Sequence, residues 1–71
     1  NVPAQRRFAP NPTADWVRWT GDRVAGRVLD AAGREVFRFP ASRGLSLGDR
    51  PAGVYLVELQ DGTRTRLIKA D

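Results

Sequence analysis

The side chains able to do chemistry in this 71-residue chain are few, and the types that are missing narrow the field quickly. There is no histidine and no cysteine, so the chain has neither an imidazole base nor a thiolate nucleophile, and the commonest zinc ligands are absent with them. Ser42 and Ser46 lack an evident base. Lys69, the single lysine, reads as a solvated charge on a terminal strand rather than as a nucleophile. Asp15, Asp22, Asp30, Glu35, Asp49, Glu58 and Asp61 are spread along the chain at roughly one per turn, where aspartate serves the turn itself. No two are spaced as an acid/base pair, and no calcium-loop spacing occurs. None of the glycines lies between a strand and a helix as a phosphate cradle requires. A non-catalytic chain without metal or cofactor is expected.

Charge is the next clue. The formal net charge is +4 and the pI about 11.1, carried by eleven arginines and one lysine. That excess invites a nucleic-acid reading, but the arginines alternate with the acids along the chain and only Arg6 and Arg7 are adjacent. Alternating signs on half-buried strands form solvated faces laced by cross-strand ion pairs, so no nucleic-acid partner is expected. The tryptophans, Trp16 and Trp19, fall on opposite faces of one extended segment. One suits a core. The other can stack on a sugar or base or meet a partner surface, yet in so small a domain both are expected to pack against its own side chains.

These residues need elements to hold them, and the longest apolar run, Pro51 to Leu59, is the one around which the rest is arranged. Breakers bracket it, and its composition is that of a pleated, buried surface. We read it as a central strand with both faces mostly covered, Tyr55, Val57 and Leu59 on one and Val54, Leu56 and Glu58 on the other. Before it, Phe8 anchors a short edge strand, and Pro10-Asn11-Pro12-Thr13 must turn, since two prolines remove two backbone donors. Strands follow at Asp15–Trp19 and Arg23–Leu29, separated by a hairpin-like break at Thr20-Gly21-Asp22. Gly26 marks either a bulge or room for a large neighbour. Asp30-Ala31-Ala32-Gly33 closes a hairpin onto Glu35–Phe39, whose inner face its alternation leaves open. Pro40–Gly44 reads as a loop and Leu45–Leu47 as a short strand. Asp61-Gly62 signals a two-residue hairpin onto a last strand, Thr63–Lys69, whose polar character suggests an exposed edge. No helical periodicity competes. The fold class is all-β, a sandwich or barrel of short antiparallel strands.

The length allows one domain with a small core. The chain begins at Asn1 and has no methionine, which suggests a piece of a longer polypeptide. No apolar run approaches a membrane span, so no membrane insertion is expected.

The order of the segments carries a further reading. Pro10-Asn11-Pro12-Thr13-Ala14-Asp15 is followed by Val28-Leu29-Asp30-Ala31-Ala32-Gly33-Arg34-Glu35-Val36. Leu45-Ser46-Leu47, Arg50-Pro51-Ala52-Gly53-Val54-Tyr55-Leu56-Val57 and Arg66-Leu67-Ile68-Lys69 complete the series. This succession resembles the C-terminal sorting domain of type IX secretion (type A, the Por secretion family). In that family a "PNP" opening, a D-x-x-G-R-x-V hairpin, a PAGVYLV strand and a basic end occur at this spacing. The resemblance covers residues 8–71, and on the motifs it picks out Pro10, Asn11, Pro12, Asp30, Gly33, Arg34, Pro51, Gly53 and Tyr55. It implies an Ig-like sandwich of about seven strands. The function it implies is a non-catalytic signal at the end of a secreted or cell-surface protein of Bacteroidota-type Gram-negative bacteria. Such a protein reaches the outer membrane through the periplasm. The implied partners are the type IX outer-membrane translocon, shuttle components and a surface sortase that removes the domain, with the cargo released or surface-linked. Residues 1–7 would then be linker near the cut. Two positions depart from the pattern: Arg50 stands where leucine is usual, and the chain ends Lys69-Ala70-Asp71, less basic than in many members.

The recognition expected of such a signal falls on the final strand, at Arg64, Arg66, Leu67, Ile68 and Lys69. Unpaired backbone groups there could accept an added strand, and arginines could meet an acidic receptor. The alternative function is a carbohydrate-binding or adhesive sandwich of a secreted enzyme, for which a coplanar exposed aromatic pair is the expected mark.

Overall fold

Period-two alternation dominates the chain, and in the computed structural model, which describes residues 6–70, the alternating runs are strands. They are β1 (Phe8–Ala9), β2 (Trp16–Trp19), β3 (Val24–Asp30), β4 (Glu35–Ser42), β5 (Gly44–Ser46), β6 (Gly53–Leu59) and β7 (Arg64–Lys69). One sheet has the order β1-β2-β5 and the other β4-β3-β6-β7, all pairs antiparallel. The chain is a seven-stranded Ig-like β-sandwich, three strands on four.

Two hairpins build the larger sheet, and they share one design. In the first, the Gly33 amide donates to the Asp30 carbonyl and the Asp30 amide to the Arg34 carbonyl. In the second, Gly62 donates to Leu59 and Leu59 to Thr63. Gly33 and Gly62 have φ of +87° and +94°, the left-handed residue that ends a type I turn and matches the strands' twist. The Asp61-Gly62 connection is therefore a three-residue loop, with Gln60 included, rather than the expected two-residue one. The Thr20-Gly21-Asp22 break is not a hairpin either. It carries the chain from β2 in one sheet to β3 in the other.

Burial follows the alternation. Val17, Trp19, Leu45 and Leu47 from the smaller sheet's side meet Val28, Tyr55, Val57, Leu59 and Leu67 of the larger. Trp19 lies between Phe8 and Phe39, with ring centroids 5.6 Å away on each side, and its indole N–H donates to the Ser42 carbonyl at 3.1 Å. Burying an indole of this size contributes much of what so small a core can offer, and the hydrogen bond removes the cost of its polar edge. Tyr55, at the start of β6, sends its hydroxyl to the Pro51 carbonyl at 2.6 Å, the bond by which a tyrosine corner ties an inter-sheet connection to the following strand.

Gly26 combines both roles left open for it. A Cβ there would stand 2.5 Å from the Glu58 carbonyl oxygen and 2.8 Å from Phe39 Cζ. The missing side chain is thus the space that Phe39, the large neighbour, occupies. The pairing of β3 with β4 also shifts register between Val24 and Gly26. At that shift Pro40 and Ala41 oppose Ala25 alone, so β4 continues through the proline to Ser42 instead of ending in a loop. A bulge on an edge strand is where a residue without an N–H fits. A second shift, between Val28 and Leu29, settles the inner face of β4. Phe37 and Phe39 point inward opposite Val28 and Gly26, and Val36, the extra residue, also packs on the core.

Residues 6 and 7, expected to be linker, are hydrogen-bonded into the domain. Arg7 donates its amide to Thr20 Oγ1 and accepts from the Thr20 amide. The Arg6 guanidinium donates to the carbonyls of Thr20 and Asp22, both at 2.8 Å, and to Asp61 Oδ2 at 2.7 Å. Residues 1–5 of the expected linker lie outside the described residues.

Candidate recognition surface

The final strand was the expected recognition element, and its two sides differ. Thr65, Leu67 and Lys69 point inward and Arg64, Arg66 and Ile68 outward. Leu67 is fully buried in the core. Lys69 is 9% exposed, which corrects its reading as a solvated charge. It sits opposite Gly53 and beside Thr13, and its charge adds to the hydrogen bonds from Ser46 and Gly48 that hold the Asp15 carboxyl below its ordinary range.

The outer edge of β7 is not open over its second half. The Asn11 side chain donates from Nδ2 to the Arg66 carbonyl at 2.9 Å and accepts the Ile68 amide on Oδ1 at 3.1 Å. Two residues on, Thr13 forms a parallel bridge: its amide donates to the Ile68 carbonyl and its carbonyl accepts the Ala70 amide, at 2.9 and 2.8 Å. These contacts occupy the backbone groups from Arg66 to Ala70 that an added strand would need. The expectation of unpaired groups along this strand is thereby corrected over that stretch. The segment Pro10–Thr13 does this because its prolines stop β1 from running on beside β2, and the chain then crosses to the other sheet; both X–Pro peptide bonds are cis. Thr13 is buried and fixed at its own side chain too. Its hydroxyl donates to the Trp16 carbonyl at 2.6 Å and accepts the Asp15 amide.

The other motif residues also have structural partners. Asp30 Oδ1 accepts the amides of Ala32 and Arg34, both at 2.9 Å, and Arg34 Nε lies 3.3 Å from Oδ2. The carboxyl of Asp30 is held below its ordinary range, first by the Arg34 amide. Asp15 does the equivalent for the turn after β5, accepting from the Ser46 hydroxyl and, at 2.9 Å, from the Gly48 amide. Gly53 begins β6 with φ +150°, and Pro51 supplies the carbonyl for Tyr55. Arg50 lays its guanidinium 4.2 Å above the Phe37 ring and donates to the Leu47 carbonyl at 3.3 Å. It covers the edge of the core with its own cation–π contact.

What faces outward is the second side of the larger sheet. The central strand β6 is less covered than expected, because no strand among the described residues lies over this side: Val54 is 42% exposed, and its cross-strand partner Ile68 44%. Half-buried Leu56 continues the apolar surface inward as far as its partner Leu29, which is buried. Next to them runs a charged row across all four strands. Glu58 accepts Arg27 Nε at 2.8 Å on one oxygen and Arg64 Nε at 2.8 Å on the other. Glu35 accepts Arg38 Nε at 2.9 Å and approaches Arg27 at 3.6 Å. Both carboxyls are shifted down, Glu58 chiefly by Arg64 and then Arg27, Glu35 chiefly by Arg38. Glu58 lies low between the strands, 13% exposed, while the guanidinium of Arg64, 68% exposed, stands above it; Glu35 on the β4 edge is exposed. This is the alternating, ion-paired face that the sequence pattern predicts.

On the smaller sheet Trp16 is 57% exposed and Trp19 is in the core. The opposite-face reading holds, but the expectation that both tryptophans pack internally does not. Sequence reasoning missed the Val54–Ile68 pair because each was read within its own strand; only the register places them side by side. It also missed Arg6, whose three acceptors come from two distant loops.

Comparison with known proteins returns no match of any kind: no family model, no curated protein and no solved structure matches the chain.

Proposed function

We propose that this chain is a non-catalytic C-terminal sorting domain that directs its parent protein across the outer membrane by type IX secretion and is then removed by a surface sortase. The observation that carries the reading is the ordered succession of the "PNP" turn, the Asp30-to-Val36 hairpin, the Pro51-to-Val57 strand and a closing strand at Arg66–Lys69. The geometry supports it in one respect: these separated segments meet in a single arrangement. The first motif binds the last strand through Asn11 and Thr13, and the third is locked by Tyr55. Its partners in this reading are the translocon, shuttle and sortase components, and the cargo ends outside the cell or on its surface.

The test is a fusion of residues 1–71 behind a periplasmic reporter in a type IX-competent host. Reporter in the medium or on the surface is the expected result; reporter retained in the periplasm, with the domain intact, overturns the reading. Removing 67–71 takes out the buried Leu67 and so disrupts folding, whatever is recognised. Surface substitutions that leave the fold intact are the sharper comparison. The carbohydrate-binding alternative needs aromatic rings side by side on one face, and Trp16 stands without Trp19 on its face.

A further inference from the structure

Two of the three large apolar residues exposed among the described residues, Val54 and Ile68, are direct cross-strand partners on one sheet face. Half-buried Leu56 extends them toward Leu29, its cross-strand partner, which is itself buried. Arg64 and Arg66 border this apolar patch on β7, Arg66 standing directly opposite Leu56. Two acids border it, and both are ion-paired: Glu58, sunk between the guanidiniums of Arg27 and Arg64, and the exposed Glu35, opposite Leu29 and held by Arg38 and Arg27. The face therefore offers an apolar centre, outward N–H donors and a net positive rim. Arginine beside a small apolar core is the composition of a protein–protein interface rather than of an ordinary solvated sheet.

We propose that the outer face of the β4-β3-β6-β7 sheet docks onto an acidic surface of a different protein, with Val54 and Ile68 at the centre of the contact and Arg64 and Arg66 at its rim. Charge selects this occupant. A second copy would bring Arg64 and Arg66 against their own kind, in a chain that already carries +4, and like charges placed opposite one another disfavour association. A polyanion such as nucleic acid or an anionic membrane wants dense positive charge, yet here three guanidiniums, of Arg27, Arg38 and Arg64, are paired to two carboxylates, with Arg66 and an apolar patch beside them. Size sets the strength. Four strands at ~4.8 Å spacing and about seven residues at ~3.3 Å give a face of about 400 Å². A stable complex uses about 800 Å² on each partner, so the contact is transient, made and released. The proposal rests on the sorting reading only for where the partner is sought.

The experiment places the photo-reactive residue p-benzoylphenylalanine at Val54, at Ile68 and, as the control face, at Trp16, with the chain expressed in its native cells and irradiated. Adducts are identified by mass spectrometry. The same protein, negatively charged overall, is expected from positions 54 and 68 and not from 16. The adduct is expected to fall at least tenfold with Arg64→Glu/Arg66→Glu, whose melting temperature is measured alongside. The double variant removes a partner of Glu58, so Arg66→Glu alone, which breaks no ion pair among the described residues, serves as the second variant and is expected to lower the adduct several-fold with the fold intact. No adduct from either position, an adduct only from Trp16, a cross-linked pair of copies, a lipid or nucleic-acid adduct, or an adduct indifferent to Arg66→Glu in a folded domain each overturns the proposal. The reporter fusion separates the two readings. If the unmodified fusion stays in the periplasm while the adduct forms, the docking face stands and the sorting reading falls. If the fusion is exported and a folded Ile68→Glu fusion is exported equally, the reverse holds.

Discussion

Replacing Asn11 by alanine tests the structural meaning of the proline-flanked turn. The side chain makes two hydrogen bonds, donating to the Arg66 carbonyl at 2.9 Å and accepting the Ile68 amide at 3.1 Å. A neutral hydrogen bond contributes about 0.5–1.5 kcal/mol net, and these two are exposed enough for water to replace them, so the loss is about 1 kcal/mol. In a domain of this size that lowers the melting temperature by roughly 4–8 °C. The local readout is sharper than the global one. Hydrogen exchange at the Ile68 amide should speed up, while the amides that pair β6 with β3 keep their protection relative to global stability. Asn11→Asp should do no better than alanine, because a carboxylate keeps the acceptor for Ile68 but turns the other oxygen, without a proton, against the Arg66 carbonyl. Thermal melting by circular dichroism and residue-resolved exchange measure both effects. Unchanged exchange at Ile68, or a rescue by aspartate, would refute the edge-closing role assigned to this residue.

Three further outcomes follow from the packing and the charges. Gly26→Ala puts a Cβ 2.5 Å from a backbone oxygen that cannot move aside without parting β3 from β6; overpacking of this kind should cost about 2–3 kcal/mol, seen as a fall in the denaturant midpoint. Tyr55→Phe removes the bond to the Pro51 carbonyl and should destabilise by about 1–2 kcal/mol with the fold retained, read from urea unfolding with tryptophan fluorescence. The Asp61 carboxyl is lowered from 3.8 to about 2, first by the Thr63 amide, then by the Thr63 hydroxyl and Arg6. A folded-state value below the unfolded one means that its contribution is complete above pH 3.8 and is lost as pH falls toward 2. Asp61→Asn should therefore be less stable than the parent at neutral pH and lose less stability on acidification, measured as melting temperature against pH.

The strands were legible because burial here obeys the pleat. Val17 and Trp19, Tyr55, Val57 and Leu59, and Leu45 and Leu47 each share the face that alternation assigns them, and all are buried. What was not legible arises where a residue's neighbours come from elsewhere in the chain. The two irregularities of the β3–β4 pairing turn an ambiguous run into an inward Phe37 and Phe39 and carry β4 past Pro40, and no local rule places a bulge. The exposure of Val54 depends on which strands flank β6 and on no further strand among the described residues lying over them. The edge of β7 looked open because its own residues are polar and charged. It is covered by an amide and a threonine fifty-odd residues earlier, a contact that no periodicity announces.

Those contacts divide the residues that make the chain recognisable from those a partner can touch. Asn11, Asp30 and Tyr55 spend their polar groups on the β7 edge, on a hairpin and on an inter-sheet corner, and Gly53 and Leu67 are set by backbone conformation and by burial. A variant at any of them acts first on stability, so a loss of export there measures folding unless its melting temperature is known. Val54, Ile68, Arg64 and Arg66 are the converse: outward, and with little of the core resting on them. With strand addition closed off from Arg66 to Ala70, what this stretch of β7 presents to a partner is its side chains. The larger sheet offers them on its outer face, where the strand with the most diagnostic sequence contributes only Val54 and Leu56 and the rest comes from β7 beside it.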